Sequence, residues 1–356
     1  MGIITHYLTD FNPCLCLIKA RMEPGLLFSA RYSRGASPRP LGLLAVVMIQ
    51  RGAVVEGMCH LPGGTFTMGS ERFYPEERPR RRVSVDAFWI DATPVTNREF
   101  AKFVAATGHK TVAEFPPDPA DYPGMKAELA RPGSVVFQRT RGPVDLNDVS
   151  QWWQFRPGAS WRRPLGERSS AQALDDHPVV HVAYADAEAY AAWAGKALPT
   201  EAEWEYAAKG GLEDAEFAWG DELAPQGKML ANYWQGEFPW ANRLLDGFER
   251  TSPVRTYPPN GYGLYDMIGN VWEWTSDWFS LPTAAEGCCA IPNPRVTDPA
   301  GSFDPHSHVR IPRKVLKGGS HLCAESYCQR YRPAARSPQM VETSTSHIGF
   351  RCVVRG

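Results

Sequence analysis

The 356-residue chain has almost no net charge, −1 with histidine neutral. That excludes the basic face that a nucleic-acid or anionic-membrane partner needs. It also lacks an apolar run long enough to cross a bilayer. The nearest approach, residues 41–48, follows Arg31, Arg34 and Arg39 like the apolar core of a signal peptide, but lies late and has no small-x-small cleavage site. Cysteine is scarce: eight in this length are too few for a disulfide scaffold, and they do not pair into a framework. What is plentiful is glycine and proline, 31 each, and tryptophan, 12. That mixture predicts a loop-rich, aromatic-cored protein poor in long helices. The length suffices for one large core or two modest domains.

Residues 1–57 read as an unstructured extension or a start assigned too early, with Met48 or Met58 as other starts. Cys14 and Cys16 fall there and take no role. From Leu61 the pattern becomes structured. Thr65, Phe66, Thr67 and Met68 alternate after a Pro-Gly-Gly turn and predict a strand; residues 82–90 predict a second. Thr96 and Glu99 form a capping box that opens a helix burying Phe100, Phe103 and Val104. Residues 109–165, with Trp152, Trp153 and Trp161, predict an irregular wrapped surface. A helix containing Asp186 follows, with Ala189, Tyr190 and Trp193 on its buried side and Gly195 at its end. Thr200 and Glu203 cap the next. His177 and His181 are candidates for a metal pair, but Pro178 between them and the extended context favour a structural role. Residues 267–278 are dense in tryptophan. Residues 280–312 predict an exposed loop, where the adjacent Cys288 and Cys289 are too strained to bridge each other. Residues 347–354 predict an apolar strand returning to the core.

Residues 317–336, Lys-Gly-Gly-Ser-His-Leu-Cys-Ala-Glu-Ser-Tyr-Cys-Gln-Arg-Tyr-Arg-Pro-Ala-Ala-Arg, carry the chemistry. Cys323 and Cys328 stand five apart. Such thiols close a small disulfide ring, grip a soft metal, act as nucleophile and resolving thiol, or are simply two buried cysteines. No second Cys/His pair follows at zinc-site spacing. Two thiolates alone suit Cu(I). Arg330, Arg332 and Arg336 are expected to favour thiolate over thiol. Gly318 and Gly319, without Cβ atoms, admit another backbone closely.

Several blocks together resemble the formylglycine-generating enzyme family: Pro62-Gly-Gly-Thr-Phe-Thr-Met-Gly-Ser70, His177-Pro-Val-Val-His-Val-Ala-Tyr184, Leu198-Pro-Thr-Glu-Ala-Glu-Trp-Glu-Tyr206, Asn260-Gly-Tyr-Gly-Leu-Tyr265, Gly269-Asn-Val-Trp-Glu-Trp274, Lys317-Gly-Gly-Ser320 and Gly349-Phe-Arg351. Residues 231–239, Ala-Asn-Tyr-Trp-Gln-Gly-Glu-Phe-Pro, and the Cys323/Cys328 pair point to its active branch. The resemblance covers the chain from about Leu61 onward. It implies an α+β fold of the formylglycine-generating type, loop-rich, low in regular secondary structure and distantly like C-type lectins, as one catalytic domain over residues 58–356. The implied activity is oxidation by O2 of the cysteine in a Cys-x-Pro-x-Arg segment of an unfolded sulfatase to Cα-formylglycine. Cys323 and Cys328 then hold Cu(I), Ser320 orients oxygen or substrate, and Trp272 walls the pocket. The family also implies calcium at two places: Asn232 and Asp246 with the carbonyls of Tyr233 and Phe248, and Asp266 and Glu273 with the carbonyls of Gly269 and Val271. Hard oxygen donors drawn from loops suit Ca²⁺.

Departures from the family pattern matter too. Its two structural disulfides are lost, with Ala191, Ala208 and Pro333 at matching positions and Cys352 left without its partner. Phe103-Val-Ala-Ala-Thr-Gly stands where the family carries a glycosylation sequon. Both imply a cytoplasmic, prokaryote-like enzyme rather than a secreted one; a monomer is expected. His347 replaces an asparagine that holds the substrate peptide. The rival readings are a non-catalytic binding module of the same fold, an iron-dependent sulfoxide synthase and a thiol-disulfide oxidoreductase. The sulfoxide synthases need a histidine-rich domain ahead of the shared fold, and residues 1–60 hold only His6 and His60.

Overall fold

The computed structural model describes residues 57–356 except 121–124, 126–128, 284–288 and 308. The expected extension, apart from Gly57, and Cys288 lie outside the described residues. In chain order the strands and helices are β1 (Met58–Leu61), β2 (Gly64–Met68), β3 (Arg81–Val85), β4 (Phe88–Asp91), α1 (Asn97–Thr107), β5 (Gly133–Phe137), β6 (Trp153–Pro157), α2 (Tyr184–Trp193), α3 (Glu201–Lys209), β7 (Trp272–Trp278), β8 (Ile291–Pro292), β9 (Arg313–Lys317), β10 (Arg336–Met340), β11 (Ile348–Gly349) and β12 (Val353–Arg355). They form four small sheets: β1-β4-β12, β10-β9-β7-β11, β2-β3-β8 and the β5-β6 hairpin. Long loops join them, as the glycine and proline content requires.

The predicted strand over 82–90 is two strands. β3 pairs with β2 and β8, while β4 pairs with β1 and β12. The chain changes sheets at Asp86 and Ala87, because two sheets bury different faces and one straight strand cannot serve both. The predicted terminal strand divides in the same way, into β11 against β7 and β12 against β4. Residues 109–165 contain the β5-β6 hairpin, with Trp152 and Trp161 buried. The 280–312 loop contains β8, a parallel addition to β3.

The capping boxes hold. Thr96 accepts from the Glu99 backbone and Thr200 from that of Glu203, and Gly108 and Gly210 end the two helices in left-handed conformation. On α2 the buried residues are Asp186, Ala187, Tyr190 and Ala191; Ala189 is half-buried and Trp193 is exposed. Trp193 caps the edge of an aromatic group made by Phe103 and Tyr190 instead of entering it. The small side chain of Ala191 lets α2 pack closely there.

Every residue of α3 is buried. Its carboxylates survive burial because each meets a cation or a donor. Glu201 binds Arg336 (2.8 Å), Glu205 binds Lys317 (2.8 Å), and Glu203 binds Arg355 (2.6 Å). Glu205 also accepts the backbone N–H of Gly69 at 2.7 Å. Charges left unpaired at such depth would cost several kcal/mol each, roughly. Lys317 is the last residue of β9, so this network fixes the point where the Gly318-Gly319 turn begins.

Candidate active site

Gly318 and Gly319 have φ of +92° and +73°, in the region where a side chain strains the backbone. A Cβ on Gly319 would sit 2.5 Å from the Arg330 carbonyl oxygen. The expected close backbone approach is therefore present, and it brings 330–331 against the turn. Two further turns follow: Cys323 N–H donates to Ser320 O (3.0 Å) and Tyr327 N–H to Ala324 O (3.2 Å). These turns carry Cys328 back to Cys323, so that the two thiols hydrogen-bond to each other. Both are free, Cys323 buried and Cys328 half-buried. From the other side, Trp234 N–H donates to Cys323 O at 3.0 Å.

The two sulfurs are not equivalent. Burial pushes the Cys323 thiol up, but a hydrogen bond from Cys328, the backbone N–H of Ser320, and the charge and N–H of Arg330 outweigh it. Its pKa falls below the ordinary 9.0. Cys328 goes the other way: its bond to Cys323, then burial, then the adjacent negative charge hold its proton on well above that value. The bias is toward thiolate at Cys323 and thiol at Cys328, because the hydrogen bond between the sulfurs favours ionising one of the pair at a time.

Among the three arginines, only Arg330 acts on the thiols. Arg332 makes a two-pronged pair with Glu77 (2.6 and 3.0 Å) over the Phe73 ring, and Arg336 serves Glu201 and the carbonyls of Glu76 and Ser280. A guanidinium matches one carboxylate closely, so a nearby glutamate captures it before a sulfur does. Arg330 itself is steered by Glu76 (2.6 Å) and lies over the Tyr74 ring. The 73–77 segment, unremarked in the sequence, thus buttresses the thiol loop.

Ser320 is fully buried; its Oγ accepts from Leu322 N–H at 3.2 Å while its own N–H serves Cys323. Trp272, at the start of β7, belongs to the apolar cluster that also holds Cys323 and Tyr331. His177 and His181 are not a pair. His177 meets Thr251 (3.0 Å), and His181 meets Ser134 and the Pro164 carbonyl (2.8 and 2.9 Å). His347 is half-buried, bonded to Thr345 and packed against Trp153.

The first oxygen set comes together around Asp246, which accepts the backbone N–H groups of Tyr233 (3.2 Å) and Phe248 (3.0 Å). Asn232 donates its amide to Arg250 O, freeing its own oxygen. Gln235, missed in the sequence, inserts its amide donor between Tyr233 O and Asp246 Oδ2. A cation there has to displace that donor. The second set fits better. Asp266 Oδ1 is buried without a hydrogen-bond partner, and burial pushes this carboxyl up to about 6. Glu273 accepts from Trp204 and twice from Arg351, each at 2.8 Å. A carboxylate has about four acceptor positions, so one remains. An orphaned carboxylate oxygen beside loop carbonyls suits a hard cation such as Ca²⁺.

Against known proteins, residues 46–356 match the family model described as "Sulfatase-modifying factor enzyme 1-like domain". The chain is 55% identical over 298 residues to "Formylglycine-generating enzyme" of Mycobacterium tuberculosis, covering 82% of this chain and 96% of the relative. It is 36% identical over 325 residues to "Inactive C-alpha-formylglycine-generating enzyme 2" of Mus musculus, covering 88% and 90%. PvdO from Pseudomonas aeruginosa, a solved structure, matches with a TM-score of 0.54 at 23% identity over 84% of this chain and 94% of that one. That last likeness concerns the fold alone.

Proposed function

The chain belongs to the sulfatase-modifying factor family, and from that membership we propose that it oxidises one cysteine of a sulfatase polypeptide, within Cys-x-Pro-x-Arg, to Cα-formylglycine. The observation that carries this reading is the Cys323/Cys328 pair, two free thiols in contact, the buried one biased toward thiolate. A binding module has no use for so poised a pair.

Cys323 and Cys328 would hold Cu(I) as two soft ligands; no group of three or more His, Cys, Asp or Glu converges among the described residues to add to them. Bound there, copper would supply the one-electron chemistry with O2 that thiols lack. Loading it requires Cys328 to give up its proton. The N–H groups of Ser320 and Arg330 hold the Cys323 sulfur in place. Half-buried Cys328 and exposed Tyr327 leave that side open for the substrate thiol. Overall, one substrate thiol, one O2, two electrons and two protons become one aldehyde, one hydrogen sulfide and one water, with an external thiol as reductant. The Cys352 thiol, free and buried, supports placing this chemistry in a reducing, cytoplasmic setting.

The second reading, an inactive paralogue, is favoured by the mouse relative's printed name. Mass spectrometry of a Leu-Cys-Thr-Pro-Ser-Arg peptide, incubated with protein, thiol reductant and air, separates the two. A copper-dependent loss of about 18 Da marks the aldehyde. An unchanged peptide with copper-loaded protein selects the binding module.

A further inference from the structure

We propose that the cavity lined by Arg141 and Arg250 is a subsite for an acidic side chain of the polypeptide substrate, a few residues from the cysteine to be oxidised. This rests on the function proposed above. Beyond β5 the chain runs over the 238–240 segment, held by Thr140 N–H on Pro239 O at 3.2 Å. Between that crossing and residues 249–250 lies a polar cavity of about 440 Å³, lined by Phe137, Arg139, Arg141, Trp240, Glu249 and Arg250, among others.

Three guanidiniums face one carboxylate there, and Glu249 is already committed to Arg139 at 3.7 Å. Neither Arg141 nor Arg250 has an ion pair or a side-chain hydrogen bond among the described residues. The contrast with the rest of the fold is informative. Buried Arg332, Arg336 and Arg351 each hold a glutamate at 2.6–2.8 Å. Arg250 is half-buried in the cavity wall. A half-buried guanidinium without a hydrogen-bonded carboxylate keeps the donors of its planar fork available, the geometry that a carboxylate accepts with both oxygens. Lysine at the same place would meet like charge.

A row of packed aromatic rings joins the cavity wall to the thiol loop. Phe137 packs on Phe238 at 5.7 Å between centroids, and Phe238 stacks on Tyr327 at 4.6 Å and 7°. Tyr327 precedes Cys328. Roughly three to five residues of extended chain would span that path.

The test uses the full-length protein and peptides bearing Cys-x-Pro-x-Arg, with Glu or Lys placed in turn three to five residues to either side of the cysteine. The readouts are kcat/KM for conversion and, separately, fluorescence anisotropy with serine in place of the cysteine. At one position Glu is expected to exceed Lys by about three- to thirty-fold. That ratio should fall toward one in Arg250→Gln and Arg141→Gln, and invert in Arg141→Glu, whose exposed site tolerates the change. Equal ratios at every position in the parent protein overturn the subsite. So does inorganic sulfate binding at Arg250 with no charge preference among peptides, which marks an ion site only. A Glu preference in binding without any conversion leaves the subsite standing and removes the proposed activity; conversion without preference does the reverse.

Discussion

His321 places two donors on one acceptor: its backbone N–H at 3.0 Å and its Nδ1 at 2.8 Å both reach the carbonyl oxygen of Asn270. Since a carbonyl only accepts, Nδ1 carries the proton. Asn270 itself has φ of +54° and lies between Gly269 and Val271, whose carbonyls belong to the second oxygen set. Gly269 N–H in turn donates to Gly318 O at 2.9 Å. The loop that would grip a cation and the loop that holds the thiols are therefore fastened at two points.

Removal of a cation should be visible in stability. Excess chelator is expected to lower the melting temperature of the parent protein by several degrees, roughly 2 kcal/mol or more for a tightly held ion. Asp266→Asn should not respond to chelator. It should melt below the calcium-loaded parent and above the chelated one, because an uncompensated buried carboxylate is itself destabilising. Calorimetry with and without Ca²⁺ checks the order. A parent that ignores both ion and chelator contradicts the assignment.

Cys323→Ser and Cys328→Ser should each cut peptide conversion by about a thousandfold or more, since a two-ligand site fails with either one missing. Circular dichroism should show both variants folded. Normal turnover by either one would remove the thiol-pair model.

Gly319→Ala should destabilise by about 2–4 kcal/mol. The new Cβ runs into the 330–331 peptide group, with Arg330 O at 2.5 Å and Tyr331 N at 2.8 Å. Relief moves residue 330 and withdraws its N–H from the Cys323 sulfur, so conversion should drop more than the fraction folded does. Urea denaturation and peptide conversion, measured together, compare the two losses.

Acid should unfold the protein through its buried histidines. Burial holds His181 down at about 4 and His347 at about 3, the latter helped by neighbouring imidazoles. Both are neutral in the folded state at pH 5, whereas the unfolded chain protonates them below about 6.5. Stability from these two is complete above that value and falls with pH, by roughly 2.7 kcal/mol per pH unit between 6 and 4.5. His321, likewise held down at about 4 by burial, adds to the measured slope, so replacing His347 with asparagine should remove about a third of the contribution of the three histidines. Chemical denaturation at a series of pH values measures it.

Much of the site was legible in the sequence because turn and cap chemistry is local. Gly318-Gly319 before Ser320, the boxes at Thr96/Glu99 and Thr200/Glu203, and the Cys323/Cys328 spacing all act within a few residues. Asn270 had a local signal too, a Gly-Asn step suited to positive φ. The arginines were harder. Arg330, Arg332 and Arg336 look alike in the chain, yet their charges go to Glu76, Glu77 and Glu201, two of which come from a segment about 255 residues away. The break between β3 and β4 and the exposure of Trp193 were hidden for the same reason.

By itself the sequence determined the family and the loop-rich α+β character and singled out Cys323 and Cys328 as candidate site residues, because these depend on composition and short-range spacing. Only the tertiary structure decided which sulfur is biased toward thiolate, which guanidinium lies beside it and which ones line a cavity without a carboxylate partner. Those are properties of distance and burial, and electrostatic energy depends on the separation and surroundings of charges in space, whatever their separation along the chain.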